Sequence, residues 1–177
     1  MSVDREARVD LKNRVIYLFG SVDVDMSFKA IVALHEMEND DRKASITVFL
    51  NTDGGSESDG WAIYDAFKRS PCGITVIAVG ECQSMGMILL QMGDNRKLAL
   101  HTRCLIHLGW GPSLDEAPHS LVLKALGKEQ EVCDEMYVRC LADRSGQSYG
   151  DVLEMCIHET YMSSTEAIAR GFADGLY

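Results

Sequence analysis

Ser84 and His107 have the residue types and the sequence contexts that a serine hydrolase uses. Ser84 lies between the apolar run Ile74–Val79 and a second apolar segment that begins at Met85. Its hydroxyl and the amides that follow would therefore stand near the positive end of a helix, where an oxyanion is stabilised. His107 ends an apolar run and precedes a glycine-containing opening. Because a serine becomes nucleophilic when a neutral imidazole accepts its proton, the two residues predict acyl-transfer chemistry.

Each of the two residues also has a purely structural explanation. Ser84 can serve only as a helix cap, and the nucleophile elbow of α/β-hydrolases is not matched because Cys82 replaces its first glycine. His107 competes with four other histidines for the role of base, and a structural or solvated histidine stays open at each position. The four are His35, His101, His119 and His158.

A glycine pair, Gly54–Gly55, follows the β-branched run Ile46–Leu50. Glycine lets the backbone approach a ligand closely, because no Cβ intrudes and positive φ angles are accessible. An ordinary tight turn explains the same pair, so the motif alone does not decide between a ligand-binding loop and a turn.

The elements that must position these residues alternate along the chain. Apolar runs predict strands at 15–19, 46–50 and 74–79, each followed by a helix, at 26–37, from a cap at Ser58 or Asp59 to about 68, and at 84–92. Continuous apolar strands joined by helices indicate a parallel sheet that is covered on both faces, with right-handed crossovers. The predicted fold class is therefore α/β.

The second half of the chain is predicted to be mostly helical. Two short strands at 97–100 and 103–108 precede a long helix at about 119–144 and a shorter one at 149–156. The spacing of Ser163 and Glu166 is that of a capping box, which opens a last short helix. The long helix carries more apolar positions than one sheet face can bury, so we expect it to pack against a partner chain in a ring-shaped homo-oligomer.

The composition favours one domain that binds neither nucleic acid nor membranes. A chain of 177 residues, 46% of them hydrophobic, can build one core. Its formal net charge of −10 repels phosphate backbones and anionic lipids, and its apolar runs are far shorter than the roughly 20 residues of a membrane span. The mixed charges of the N-terminus predict a cytoplasmic location. Six cysteines without a Cys-x-x-Cys pair are interpreted as reduced core thiols.

Seven short motifs occur in order along the chain. They are Arg14–Gly20, Asn51–Gly55, Ile63–Asp65, Gln83–Gly86, Arg103–His107, Ser145–Ser148, and Tyr161–Ala167 followed by Gly171 and Asp174. Their order and spacing resemble those of the proteolytic subunit of Clp protease, the ClpP family, from about residue 13 to the end. The resemblance implies a serine peptidase with a crotonase-like fold of repeated β-β-α and βα units, a protruding handle helix, and seven-membered rings stacked around a chamber.

The resemblance assigns a role to each candidate catalytic residue. Ser84 takes the place of the nucleophile and His107 that of the general base. The family's acid directly precedes a short pattern that is matched here by Thr160–Ser163, which points to Glu159 in place of the usual Asp. The oxyanion-hole amides map onto Gly55 and Met85. No metal or organic cofactor is implied.

The resemblance also implies where a peptide would bind. The substrate, a peptide or an unfolded protein, would lie extended between the edges Gly54–Glu57 and Leu108–Trp110 and add a strand by backbone hydrogen bonds. The implied binding residues are Gly54, Ser56, Leu108 and Gly109, and Gly109–Ala117 leads into the handle helix. The cleft departs from the family where Thr52–Gly55 replaces Ser-Pro-Gly-Gly and Leu108–Gly109 follows the histidine. His158 replaces an arginine found at ring contacts.

Two other functions stay open at this point. A catalytically inactive scaffold subunit of such a ring would fit if the change from Asp to Glu159 disabled the site. An acyl-CoA hydratase or isomerase on the related crotonase fold would also use two backbone amides, but would need no serine nucleophile.

The segment ahead of the first strand bears on a possible Clp-type ATPase partner. Residues 1–13 carry Asp4, Glu6 and Asp10 and few large apolar side chains. We expect this short segment to be disordered and residues 14–177 to form a single peptidase domain. A wider or ungated axial entrance and weak coupling to an unfoldase follow as expectations, unless an ATPase docks on surface pockets of the folded body.

Overall fold

One mixed sheet organises the chain in a computed structural model, which describes residues 8–109 and 120–177. The described part contains eight strands: β1 (Arg8–Asp10), β2 (Val15–Phe19), β3 (Ile46–Thr52), β4 (Ile74–Gln83), β5 (Asn95–Leu98), β6 (Arg103–Ile106), β7 (Thr160–Ser163) and β8 (Gly175–Leu176). It also contains six helices: α1 (Val24–Asp40), α2 (Glu57–Arg69), α3 (Met85–Gln91), α4 (Ser120–Ser145), α5 (Tyr149–Ile157) and α6 (Ser164–Ala169).

The centre of the sheet is parallel, as the alternation of strands and helices predicts. Strands β2, β3, β4 and β5 pair in parallel, and β8 joins the far edge of β5 in the same direction. Two pairings are antiparallel, that of β1 with β2 and that of β6 with β7. The α/β class is confirmed, and the antiparallel strands make the sheet mixed.

Burial of the sheet is stronger on one face than on the other. Along β3, buried residues such as Val48 and Leu50 alternate with half-buried ones such as Phe49. On the less buried face, the rings of Tyr17 and Phe49 stack with centroids 5.5 Å apart, and Tyr177 meets Phe49 edge to face. The two faces of the sheet are therefore covered to different extents in the single chain, and aromatic side chains lie on the less buried face.

Strand β4 runs beyond the end that the sequence predicts at residue 79. Gly80 adopts a φ of +69°, and the side-chain oxygen of Asn51 accepts a hydrogen bond from the Glu81 N–H at 2.9 Å. The register against β3 shifts at this point, and the last residues of β4 pair with β6. This irregularity changes the course of β4. As a result Ser84, the residue after Gln83, lies at the end of β6.

Side-chain caps fix where the helices begin. The side chain of Ser56, not that of Ser58 or Asp59, caps α2, because its hydroxyl accepts a hydrogen bond from the Asp59 N–H. The capping box that opens α6 is confirmed: Ser163 accepts from the Glu166 N–H, and Glu166 accepts from the Ser163 N–H at 2.8 Å.

Helix α4 buries side chains only in its C-terminal half. Its buried residues are Tyr137, Val138, Leu141 and Ala142. None of residues 120–136 is buried, and Leu121, Val132 and Met136 are at least 46% exposed. Gly127 does not interrupt the helix. The handle helix is therefore present as one continuous element with apolar side chains on its surface.

The segment expected to be disordered contains one described strand. Arg8–Asp10 pairs with β2, and the Asp10 carboxylate accepts hydrogen bonds from the Asn13 backbone and side chain. The turn between the strands thus closes a short hairpin. Residues 1–7 lie outside the described part. Within that part, no helix has the length and the hydropathy that a membrane crossing requires.

Candidate active site

Ser84 stands at a sharp turn between β4 and the buried helix α3. Its backbone has φ +52° and ψ −122°, a conformation that non-glycine residues rarely adopt. Its N–H donates to the Leu105 carbonyl at 2.9 Å, and its own carbonyl accepts from the Met87 N–H at 2.9 Å. Hydrogen bonds on both sides hold this strained turn in place, which fixes the direction of the hydroxyl.

Gly54 makes room for the Ser84 side chain. A Cβ atom at Gly54 would lie 2.6 Å from the Ser84 Cβ and 3.1 Å from its Oγ. The φ of Gly54 is +110°, and its N–H donates to the Thr52 hydroxyl at 3.0 Å. The glycine pair is thus part of the site and not only a tight turn.

His107 reaches the same place from β6. The register pairs Gln83 of β4 with Leu105 of β6, so Ser84 and His107 follow neighbouring parallel strands at their carboxyl ends. Both residues line one cavity of about 540 Å³. The Nδ1 atom of His107 lies 2.6 Å from the Leu108 carbonyl oxygen. The structure therefore brings together the two residues that the sequence singles out for acyl transfer.

The other described histidines lie elsewhere. His35 lines a separate cavity between α1 and α2, and His101 is exposed in a turn. The Nε2 atom of His158 lies 2.9 Å from the Glu154 carboxylate, one helical turn away. His119, Trp110 and the rest of the segment leading into the handle helix lie outside the described residues.

The predicted oxyanion amides belong to the same cavity. Gly55 and Met85 both line it, and Met85 is the first residue of α3. The isolated bridge between Val22 and Gly55 uses the Gly54 carbonyl and the Ser56 N–H. The N–H of Gly55 is not part of that bridge, so it can serve a ligand.

Glu159 is not among the residues that line the cavity. It is exposed, has a φ of +47°, and lies between α5 and β7. The pairing of β6 with β7 places Ile106 opposite Thr160, and Glu159 directly precedes Thr160 as His107 directly follows Ile106. Glu159 is therefore next in the chain to the strand that pairs with β6, but it does not line the cavity.

Some groups on the two predicted substrate-binding edges already form hydrogen bonds within the protein. The Gly54 carbonyl accepts from the Val22 N–H at 2.7 Å, and the Ser56 side chain caps α2. On the other edge, the Gly109 N–H donates to the Asp134 carboxylate at 2.7 Å, and the Leu108 carbonyl oxygen contacts His107 Nδ1.

Carboxylates give the cavity a negative lining. Asp53 follows β3, Glu57 begins α2 and Asp134 lies on α4, and all three line the cavity. No Lys or Arg is among the described lining residues. Burial raises the pKa of the nearby Cys133 thiol to about 11, with a hydrogen bond to Glu57 and the charges of Glu57 and Asp134 acting in the same direction. The field at this end of the cavity is therefore negative.

A family model of Clp protease matches residues 3–177. The chain belongs to the Clp protease family. One curated relative, ATP-dependent Clp protease proteolytic subunit 1 of Prochlorococcus marinus (strain NATL2A), is 30% identical over 169 residues, which are 94% of this chain and 85% of the relative. The family supports a protease role for this chain and agrees with the resemblance found in the sequence.

Two residues of this Clp protease family member escaped the sequence analysis although they line the cavity. Asp134 and Tyr137 lie on α4, on the face that also presents Gln130, whose amide donates to Asp134 at 3.1 Å. Their spacing, 130, 134 and 137, is that of one helix face. The spacing identifies one polar face of the helix from the sequence, but it does not show that this face lies toward Ser84.

Proposed function

We propose that this protein is a serine endopeptidase that cleaves peptides and unfolded proteins through an acyl-enzyme. The observation that supports this best is the joint position of Ser84 and His107 in one cavity, with Ser84 on a strained turn and the candidate oxyanion amides beside it. Strained backbone at a nucleophile is typical of sites in which the surrounding structure holds a reactive side chain in place.

Each of these groups has its own role in the reaction. The Ser84 hydroxyl attacks the peptide carbonyl carbon while His107 accepts its proton, and the N–H groups of Gly55 and Met85 stabilise the oxyanion. The C–N bond then breaks, and His107 returns the proton to the leaving amine. Water, deprotonated by His107, attacks the acyl-enzyme and releases the acid, which restores the Ser84 hydroxyl.

Glu159 is the proposed third member of the site. Glu159 directly precedes the strand that pairs with β6, and His107 directly follows β6. A carboxylate at this position would stabilise the imidazolium that forms during the reaction.

Labelling with a fluorophosphonate tests the proposal, because only an activated serine reacts with it. We expect one label per chain, located on Ser84 by peptide mapping, and loss of both labelling and peptide cleavage in Ser84→Ala and His107→Ala. Ser58→Ala and His101→Ala are matched controls, since both residues are exposed and lie outside the cavity. Full activity in Ser84→Ala would exclude the serine mechanism.

A catalytically inactive scaffold subunit is the second candidate. The observation that favours it is the position of Glu159 outside the cavity. Such a subunit would assemble normally but would not react with the fluorophosphonate, so the same experiment separates the two functions.

We propose that the active form is a homo-oligomeric ring, a heptamer or two stacked heptamers, that encloses the sites. The exposed apolar residues of α4 support this, because side chains of that size are usually covered in the working protein. A chamber would also keep an activated serine away from folded proteins.

A direct assay can decide whether this protein works with a Clp-type ATPase. The relative from Prochlorococcus is named ATP-dependent. Casein degradation with and without an unfoldase and ATP would show whether this chain shares that dependence or works with an ungated entrance. A cytoplasmic location stays a prediction from the sequence.

A further inference from the structure

The hydroxyl of Tyr137 connects the handle helix to the turn that carries Ser84. Tyr137 is only 8% exposed, and its Oη atom donates a hydrogen bond to the Ser84 carbonyl oxygen at 3.1 Å. That carbonyl also accepts from the Met87 N–H. The bond therefore acts directly on the residue whose backbone is held at φ +52°.

The electrostatics of the same hydroxyl also depend on His107. Burial raises the pKa of Tyr137 well above its usual range, whereas a hydrogen bond with the His107 backbone lowers it. Tyr137 lines the same cavity as Ser84 and His107. One buried side chain thus bonds to the backbone of the first residue and lies beside the second.

Tyr137 lies where the exposed part of α4 ends and its buried part begins. Residue 136, its immediate neighbour, is an exposed methionine, and no residue of α4 before Tyr137 is buried. The exposed part of α4 therefore continues directly into the residue that bonds to the Ser84 turn.

We infer that Tyr137 is a positioning residue that sets the distance between Ser84 and His107 and connects that distance to the placement of α4. The inference rests on the proposed peptidase function. Tyr137 does not react itself. Its hydroxyl holds the Ser84 backbone and its side chain lines the cavity beside His107. A small displacement of the two reacting groups lowers the rate strongly.

Tyr137→Phe tests this, because it removes one oxygen atom and keeps the buried ring. We expect kcat for a fluorogenic peptide to fall roughly tenfold, because a small displacement of the reacting groups lowers the rate strongly, with KM changed less than about twofold. The rate of fluorophosphonate labelling of Ser84 should fall in parallel. The oligomer size and the unfolding midpoint should stay close to those of the unmodified protein.

Tyr64→Phe is the matched control. Tyr64 is half-buried, and its hydroxyl interacts with Cys140 of α4, but it does not line the cavity. Removal of its hydroxyl should leave kcat and the labelling rate unchanged.

The outcomes separate this inference from the proposed function. Wild-type labelling on Ser84 with an equal labelling rate in Tyr137→Phe would overturn the inference alone. A loss of activity that follows dissociation or a lowered unfolding midpoint would also overturn it, since Tyr137 would then be structural only. Absence of any labelling or cleavage in the wild type would overturn the proposed function and this inference together.

Discussion

The Nδ1 atom of His107 and the carbonyl oxygen of Leu108 lie 2.6 Å apart. A carbonyl oxygen can only accept a hydrogen bond, so the neutral imidazole must carry its proton on Nδ1. Nε2 is then the unprotonated nitrogen, which is the tautomer that a general base for serine requires. A backbone carbonyl thus performs one of the two tasks usually given to the acid of a catalytic triad.

This contact predicts a small effect for Glu159→Gln. Where loss of the acid leaves the wrong tautomer, turnover falls about 10⁴-fold. Here Leu108 keeps the tautomer, and an exposed charge contributes little, so kcat should fall only about fivefold. Steady-state kinetics of Glu159→Gln and Glu159→Asp would measure this, with Glu154→Gln as a control one turn of α5 away. A loss of three or more orders of magnitude would show that Glu159, and not Leu108, orients the base.

Gly54→Ala should remove activity through a steric clash with the nucleophile. The new methyl group would lie 2.6 Å from the Ser84 Cβ, where no adjustment of a flexible side chain can relieve it. We expect fluorophosphonate labelling to fall below detection and the stability to fall by about 2 kcal/mol or more.

Gly20→Ala is the control for the backbone part of that effect. Its φ is +102°, close to the +110° of Gly54, but a Cβ there would meet no atom within 4 Å. It should lower stability by about 1–2 kcal/mol and leave labelling intact. Equal labelling in both variants would contradict the role assigned to Gly54.

Much of the fold follows from local patterns in the sequence. The continuous apolar run Val15–Phe19 predicts β2 with the bounds that the structure has, and the Ser163–Glu166 capping box places the start of α6. These features depend on neighbouring residues only. The approach of Ser84 to His107 also follows, because successive strands of a parallel sheet end at the same edge.

Other features depend on contacts distant in the chain. Thr160–Ser163 has no apolar alternation, and it forms β7 only because β6 offers a free edge. The extension of β4 needs the Asn51 side chain as an acceptor for Glu81. Asp134 and Tyr137 line the cavity because of the orientation of α4 about its own axis relative to α3. The helical period of the sequence alone does not determine that orientation.

The ion pair between Arg96 and Asp174 should make stability depend on pH in the acid range. Arg96 is buried and also donates to Gln91 and to the Arg144 carbonyl. Burial raises the pKa of Asp174, but the hydrogen bonds and charge of Arg96 outweigh it and hold that pKa below the ordinary 3.8. The pair therefore stabilises the fold fully above about pH 4, and the contribution is lost as the pH falls below that value.

Asp174→Asn tests this ion pair by urea unfolding. At pH 7 the variant should be about 2 kcal/mol less stable, below the value for fully buried pairs because Asp174 is partly exposed. The difference should shrink as the pH is lowered below 4. Asp143→Asn, an exposed position on α4, should show no such trend. A difference that stays constant down to pH 2.5 would contradict the assignment.

The negative cavity predicts selection among peptide substrates by charge. Three carboxylates, Asp53, Glu57 and Asp134, should repel an acidic residue next to the cleaved bond. In matched peptides, kcat/KM should be about tenfold higher with Arg than with Glu at that position, and the ratio should fall as salt screens the field. Glu57→Gln should lower the ratio and Glu131→Gln, exposed on α4, should not. Equal cleavage of both peptides would disprove this.

The exposed apolar residues of α4 predict that one acidic substitution will break the assembly. Val132 is 51% exposed and Met136 46%, one helical turn apart. A buried contact of such a side chain contributes about 1.5–3 kcal/mol, and every subunit of a ring repeats it. Val132→Glu should therefore shift the protein to smaller species in sedimentation velocity at micromolar concentration, while circular dichroism shows an intact fold.

Lys128→Glu places the same residue on the same helix and serves as the control, since position 128 is exposed and polar already. If dissociation follows Val132→Glu only, the apolar residues of α4 carry the interface. Peptidase activity should fall with the assembly, because α4 continues through Met136 into Tyr137 and so to Ser84. A strictly monomeric wild-type protein with full peptidase activity would contradict the ring and its enclosed chamber.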